Sequence, residues 1–358
     1  MRKTIDMTET LLLNNKRNRA KKYNYFIGID ISKNELDYAV LYNKQLLFHR
    51  EAKNHPDDIA AFIAELKMLS KFSMSKAIFC MEQTGMYGNH LLKYLKKLNA
   101  NIVVENSLQI RNSNGLIRGK YDKIDSIRIA QYAQNFQDNL RLWMAKRPVM
   151  LDLSALYSLR NKMLSLQVAL KTPLQEQAIF SSKGIQKLNL QLCESSVESI
   201  KNDLIKINRH IDQLIDSDLR LKRLLEIITS VPSVGKITAI AIINSTNEFR
   251  NIHCPRKFAC YSGVAPFVKE SGLSKGKARV SPIANKKMKA LLHICALGTL
   301  RYNTEMKTYY LRKTTVEGKP PMVAINAIRN KLILRIFACV NKDRLYEKLP
   351  KLNEQSAN

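Results

Sequence analysis

Carboxylates are the first residues in this sequence with chemistry to offer. Asp30 sits inside Tyr25-Phe26-Ile27-Gly28-Ile29-Asp30-Ile31-Ser32-Lys33, an apolar run rich in aromatic and β-branched residues that predicts a short buried strand. Burying an ionised Asp unpaired costs several kcal/mol, roughly, so Asp30 needs a cation, a donor network or the open end of a sheet. Glu82 closes a second such run, Lys76 to Met81, and Asp122 and Asp125 stand three residues apart, on one face of a helix. Carboxylate oxygens suit hard divalent ions, and two Mg²⁺ ions about 3.5 to 4 Å apart can bind the attacking and leaving oxygens of a phosphodiester. Each acid taken singly also fits a turn cap or a first-turn helix charge. Ser271 is a different kind of group. It lies in the predicted loop Phe267 to Lys277 with Lys269, Lys275, Lys277 and Arg279 close in sequence, yet on the residues alone it reads first as a serine bonding its own turn beside Gly272.

Positioning these groups requires a particular order of elements. Glu35 to Tyr42 and Gln45 to Glu51 alternate as two more strands around a turn at Asn43-Lys44. A helix begins at His55-Pro56-Asp57-Asp58, with Ile59, Phe62, Ile63, Leu66 and Leu69 as its apolar face. Beyond Glu82, Gln83 to Tyr87 turns into a helix bearing Leu91, Leu92 and Leu95; Asn101 to Glu105 is a strand; Lys123 to Phe136 is a helix burying Ile124, Ile127, Ile129 and Tyr132. Three strands, helix, strand, helix, strand, helix is the order of a ribonuclease H-like α/β domain. In that fold Asp30 and Glu82 end neighbouring strands and the last helix crosses beside them.

Composition restricts the partners. The 358 residues are 45% hydrophobic, enough for real cores, and 59 Lys and Arg against 30 Asp and Glu leave a formal charge of +29, which points to a polyanion such as nucleic acid. No apolar run approaches the roughly 20 residues of a spanning helix. Residues 1–22 read as a flexible basic arm without the apolar core or cleavage site of a signal peptide. Six scattered cysteines with no CxxC pair fit a reduced, cytoplasmic protein, and His253, Cys254 and Cys260 lack zinc-site spacing.

Further along, Leu153 to Leu170 has helical spacing and Pro173 is expected to interrupt it. Leu190, Cys193, Val197, Ile200, Leu204, Ile207, Ile211 and Leu214 then form an unbroken heptad seam, suited equally to an intrachain antiparallel hairpin and to an intermolecular coiled coil. Ile228 to Ala239 resembles a helix-hairpin-helix with Ser233 in place of the first Gly, though a plain helical turn fits as well. Pro255 to Pro320 holds 14 Lys and Arg against 3 Glu, Lys286 and Lys287 among them, with tyrosines interleaved, a pattern of phosphate binding. The expected division is 1–22 arm, 23–148 catalytic α/β domain, 149–226 helical coiled-coil linker, 227–345 mainly α basic domain and 346–358 tail.

Taken together these motifs resemble the DEDD-type insertion-sequence transposases of the insertion-sequence one-ten family, relatives of pilin-gene invertases. Gly28 to Lys33 is similar to the family's first motif, Glu82-Gln83-Thr84-Gly85-Met86-Tyr87 to its E-x-T-G-x-Y and Lys120 to Ser126 to its K-T-D-x-x-D-A. Tyr261 to Pro266 followed by Glu270-Ser271-Gly272 resembles its second-domain signature. Tyr121, Ser126, Ser107 and Ala284 depart from the pattern, without removing a carboxylate or the serine. The resemblance implies Mg²⁺, two ions, held by Asp30, Glu82, Asp122 and Asp125, and Ser271 as the nucleophile that links covalently to DNA. It also implies a bridge RNA as guide, a homo-oligomer, dimer or tetramer, and no membrane role; Lys269, Lys275, Lys277, Arg279, Lys286 and Lys287 are then candidate nucleic-acid contacts. Two other readings compete: a metal-dependent nuclease or junction resolvase that needs no Ser271, and a non-catalytic nucleic-acid-binding protein indifferent to Mg²⁺.

Overall fold

The computed structural model describes residues 23–113, 122–268, 270–271, 274–276 and 278–347, the side chains of 122, 177–178 and 274–275 excepted. The basic arm and most of the tail lie outside the described residues. Two compact units divide the chain, one ending at Ala145 and the other beginning at Lys146.

In the first unit a five-stranded mixed sheet is built from β1 (Tyr25–Ile31), β2 (Glu35–Tyr42), β3 (Gln45–Lys53), β4 (Ala77–Glu82) and β5 (Asn101–Glu105), ordered 3-2-1-4-5. β1 pairs antiparallel with β2 and parallel with β4, and β4 pairs parallel with β5. The tight β2–β3 turn puts both Asn43 and Lys44 at positive φ, the mirror-image turn that suits the twist of a hairpin. Helices α1 (Pro56–Met68) and α2 (Asn89–Lys97) cover one face, burying Ile59, Phe62, Ile63, Leu66, Leu91 and Leu95 against Ile27, Ile29 and Phe79. On the other face α3 (Ser107–Ser113), a helix not anticipated, adds Ile110, and α4 (Asp122–Asn135) packs on Phe26, Ala39 and Cys80.

The buried stripe of α4 differs from the expected one. Ile129 and Tyr132 are buried, but Ile124 is exposed and Ser126, Ala130 and Ala133 fill the interface. Gly28 explains the preference for small residues: a Cβ there would meet the Ser126 carbonyl oxygen at 2.1 Å and the Ala130 nitrogen at 2.3 Å. Helix and strand backbones therefore touch, and a bulky apolar side chain has no room between them. The buried Ser126 hydroxyl costs little, because it donates to the Lys123 carbonyl at 2.9 Å.

The second unit is mainly helical. Helix α5 (Pro148–Phe180) runs straight through Pro173, where an interruption was expected; Pro173 is exposed, so water can satisfy the carbonyl left without its amide partner. It forms a hairpin with α6 (Lys183–Ser217), whose seam residues Leu204, Ile207 and Ile211 are buried while Cys193, Val197 and Ile200 are half-buried. Of the two packings open to the heptad seam, the intrachain hairpin is therefore formed. Asp218 then caps α7 (Leu219–Ser230), accepting from the Leu221 amide at 2.9 Å. Its base shares one core with α7, α8 (Lys236–Thr246), α9 (Pro255–Tyr261), α10 (Lys286–Tyr302), α11 (Thr304–Leu311) and α12 (Pro321–Asn341). Between α7 and α8 the turn carries Ser233 at φ 68°, the left-handed conformation for which a helix-hairpin-helix normally uses Gly.

Candidate active site

Strand parity and register place the first unit's acids. Phe26, Gly28 and Asp30 alternate onto the face of the sheet that α4 covers, and so do Asp37, Glu82 and Glu105, in step with Ala39, Cys80 and Val103. Asp30 lies opposite Asp37, Ile29 pairs with Met81 one position before Asp30 and Glu82, and Glu82 lies opposite Glu105. The backbone positions of four acids thus stand in a row across β2, β1, β4 and β5, strands that lie ~4.8 Å apart. At Gly28 the α4 backbone at Ser126 and Ala130 lies against the middle of β1, and Asp125 stands one residue before that contact.

The two outer acids are tethered. Asp37 pairs with the His49 Nε2 at 2.8 Å. Glu105 accepts from the Asn106 amide at 3.0 Å and from the Tyr132 hydroxyl at 3.2 Å, and Tyr132 accepts from Gln109 at 2.9 Å. Burial first, and then the Glu105 charge, push the Tyr132 phenol up to about 12, so it stays a donor. Beneath the row the same two causes, with Glu82 as a third, drive the Cys80 thiol far above its ordinary value and leave it unreactive.

Asp30 accepts from the Ile31 amide at 3.0 Å, and Asp125 forms an ion pair with Arg128 at 3.0 Å. Among the described residues no three His, Cys, Asp or Glu side chains are gathered closely enough to hold a metal ion. The donor set nevertheless has the right chemistry, since it consists of carboxylate oxygens and a row of like charges that a hard divalent cation would offset. Asp37 and Glu105 were missed by sequence reasoning. Glu105 ends a strand as Glu82 does, and that shared position was the available signal; Asp37 needs the β1–β2 register.

In the second unit Ser271 lies on the surface, in β7 (Glu270–Ser271) paired antiparallel with β8 (Ser274–Lys275), so the expected loop contains short strands. A second pair, β6 (Pro266–Phe267) with β9 (Arg279–Val280), forms its stem. Asn285 ties the root to α10: its amide donates to the Tyr261 carbonyl at 2.8 Å, its side chain donates to the Tyr261 hydroxyl at 2.7 Å and accepts from Met288 at 2.9 Å. Asn326 of α12 holds the Val264 carbonyl at 2.8 Å. Gly263 needs to be Gly, having φ 65° and space so tight that a Cβ would lie 2.7 Å from that of Ala284. Arg279, Lys286 and Lys287 are exposed; Lys269 and Lys277 lie outside the described residues, as does the Lys275 side chain.

Comparison with known proteins places the chain in a class. Residues 27–178 match the DEDD model of the IS110 transposases and residues 225–311 match the model described as the transposase IS116/IS110/IS902 family, about two thirds of the chain between them. The chain belongs to the IS110 family of DEDD transposases, and is a DNA-recombining enzyme. It is similar to a pilin gene-inverting protein of Moraxella bovis, 23% identical over 334 residues that cover 90% of this chain and 98% of the relative. A transposase for insertion sequence element IS1111A of Coxiella burnetii is 24% identical over 251 residues, 63% of this chain and 68% of the relative. Among the described residues no helix is long and apolar enough to cross a membrane.

Proposed function

We propose that this transposase cuts and exchanges DNA strands with Asp30, Glu82, Asp122 and Asp125 holding two Mg²⁺ ions and with Ser271 attacking the phosphate. The observation that supports the reading is the level register of Asp30 and Glu82 on adjacent parallel strands, with α4 held against β1 at Gly28. The 3-2-1-4-5 strand order supports a ribonuclease H-like fold for the first unit. Ions bound there supply Lewis-acid stabilisation of the charge that develops on the phosphate. The strand-borne acids present their oxygens from rigid backbone. The Ser271 Oγ forms the new P–O bond and the DNA hydroxyl leaves; attack on the phosphoserine by another strand's hydroxyl restores the serine and rejoins DNA, without an external energy source. Arg279 in β9 and Lys286 and Lys287 at the start of α10 supply exposed cations for the developing negative charge.

The same reading includes a guide RNA and a homo-oligomer. The family resemblance and the +29 charge support the first, and the half-buried stretch of the α6 seam supports the second. Gene inversion, the activity in the Moraxella relative's name, is the corresponding reaction class. The test is a supercoiled DNA substrate incubated with Mg²⁺ and the full chain. Ser271→Ala is expected to bind DNA but yield no protein–DNA adduct stable to denaturant, and Asp30→Asn to bind without cutting. An adduct formed by Ser271→Ala, or undiminished cutting in EDTA, refutes the assignment.

A further inference from the structure

Three cations converge on one tyrosine in the second unit. Tyr309, near the end of α11, packs its ring partly into the core. Around it stand the Lys331 Nζ of α12, 4.5 Å from the ring centroid, the Arg312 guanidinium at 5.5 Å and the Lys313 Nζ at 5.7 Å. Arg312 and Lys313 follow Tyr309 by three and four residues and so share its face of the helix. Both belong to a π-helical turn, Arg312–Val316, a form that is rare and concentrated at functional sites. Thr314 and Thr315 stabilise it by donating to the Tyr310 and Leu311 carbonyls at 3.0 and 2.6 Å.

The charges there do not balance. Glu317 alone answers Lys313, at 2.6 Å, and Arg312, at 3.6 Å, while Lys331 has no carboxylate partner among the described residues. All three cations fall within about one Debye length of each other, ~10 Å at 0.1 M salt, so their repulsion is felt. The ring quadrupole offsets it only in part. What the cluster lacks is anionic charge, and Glu317 shows that an oxyanion fits against two of its members.

We infer that Tyr309, Arg312, Lys313 and Lys331 form a contact site for the phosphate backbone of duplex DNA, remote in sequence from the serine hairpin. The Tyr309 ring is held against the core with cations about it, which makes it a scaffold for charge and not a platform for stacking unpaired bases. The inference rests on the reading that this chain acts on DNA, and locates one surface by which it holds the backbone without regard to sequence.

The test is anisotropy of a labelled duplex with the full chain between about 50 and 200 mM salt. Lys331→Met and Arg312→Gln should each lower the slope of log affinity against log salt by about 0.9 and weaken binding several-fold. Lys331→Arg should restore both, Tyr309→Phe should bind as the unmodified chain, and Lys201→Met, at an exposed lysine paired with Glu198 on α6, should leave the slope unchanged. Slopes equal to that of the unmodified chain in Lys331→Met and Arg312→Gln, both folded by circular dichroism, overturn the inference while leaving the DNA-acting reading intact. So does an equal loss in Lys201→Met, which would reduce the effect to net charge, or a loss confined to duplex RNA. Binding by the unmodified chain that ignores salt would instead overturn the DNA-acting reading itself.

Discussion

Replacing Gly28 by Ala adds one methyl group where the structure has no space for it. The new Cβ would lie 2.1 Å from the Ser126 oxygen, 2.3 Å from the Ala130 nitrogen and 2.8 Å from the Ala130 Cβ. Comfortable contacts begin near 3.5 Å, and the two closest atoms are helix backbone, which no rotamer change can move aside. Helix α4 must therefore retreat from β1 by more than about 1 Å, an overpacking that costs roughly 1–3 kcal/mol. Asp122 and Asp125 ride on the displaced turn, and a misplacement of about 1 Å can cost ~10²-fold in rate. Gly88 is the internal control, since a Cβ there meets only side-chain ends, at 3.4 Å or more. Urea unfolding and cleavage of supercoiled DNA should show Gly28→Ala destabilised and nearly inactive, with Gly88→Ala close to the unmodified chain. A Gly28→Ala variant with unaltered midpoint and cleavage would refute the claim that helix–strand contact positions the acids.

Other expectations follow from single side chains. Arg147 donates to Asp218 at 2.7 and 3.0 Å and to the wholly buried Glu248 at 2.5 and 2.9 Å, and Arg220 stays as a second partner of Glu248 at 3.3 Å, so Arg147→Met should cost about 1.5–3 kcal/mol in urea unfolding. Asn285→Ala removes the cap of α10 and its bond to Tyr261, and should lower stability by about 1–2 kcal/mol by the same measurement. The folded Tyr132 phenol keeps its proton to about 12 against an ordinary 10.0, so its contribution to stability is full below pH 10 and lost as pH rises toward 12. Tyr132→Phe should make the alkaline decline in stability shallower, as followed by circular dichroism; a decline as steep as before would refute the assignment.

Local patterning carried the strands, because alternation is written residue by residue: Glu35 to Tyr42 matches β2 throughout, and the Asn43-Lys44 turn is where φ turns positive. What escaped it are properties of pairs. Ile124 looked buried by helical spacing, but the face of α4 is decided by the strand it touches, and Gly28 admits Ser126 and Ala130 in its place. Pro173 looked like a stop, yet its cost depends on solvent reaching the freed carbonyl, which exposure decides. The acids illustrate the same limit at the candidate site. Asp30 is conspicuous because it interrupts an apolar run, whereas Asp37 sits in a strand as one of many surface-compatible acids, and only the register opposite Asp30 makes it a neighbour. That adjacency alters the chemistry expected of the row, since a carboxylate beside Asp30 raises the local negative potential whether or not it touches an ion. His49 Nε2 lies 2.8 Å from the Asp37 carboxylate. Asp37 with His49 is thus a pair beside Asp30 that the strand register reveals and the sequence does not.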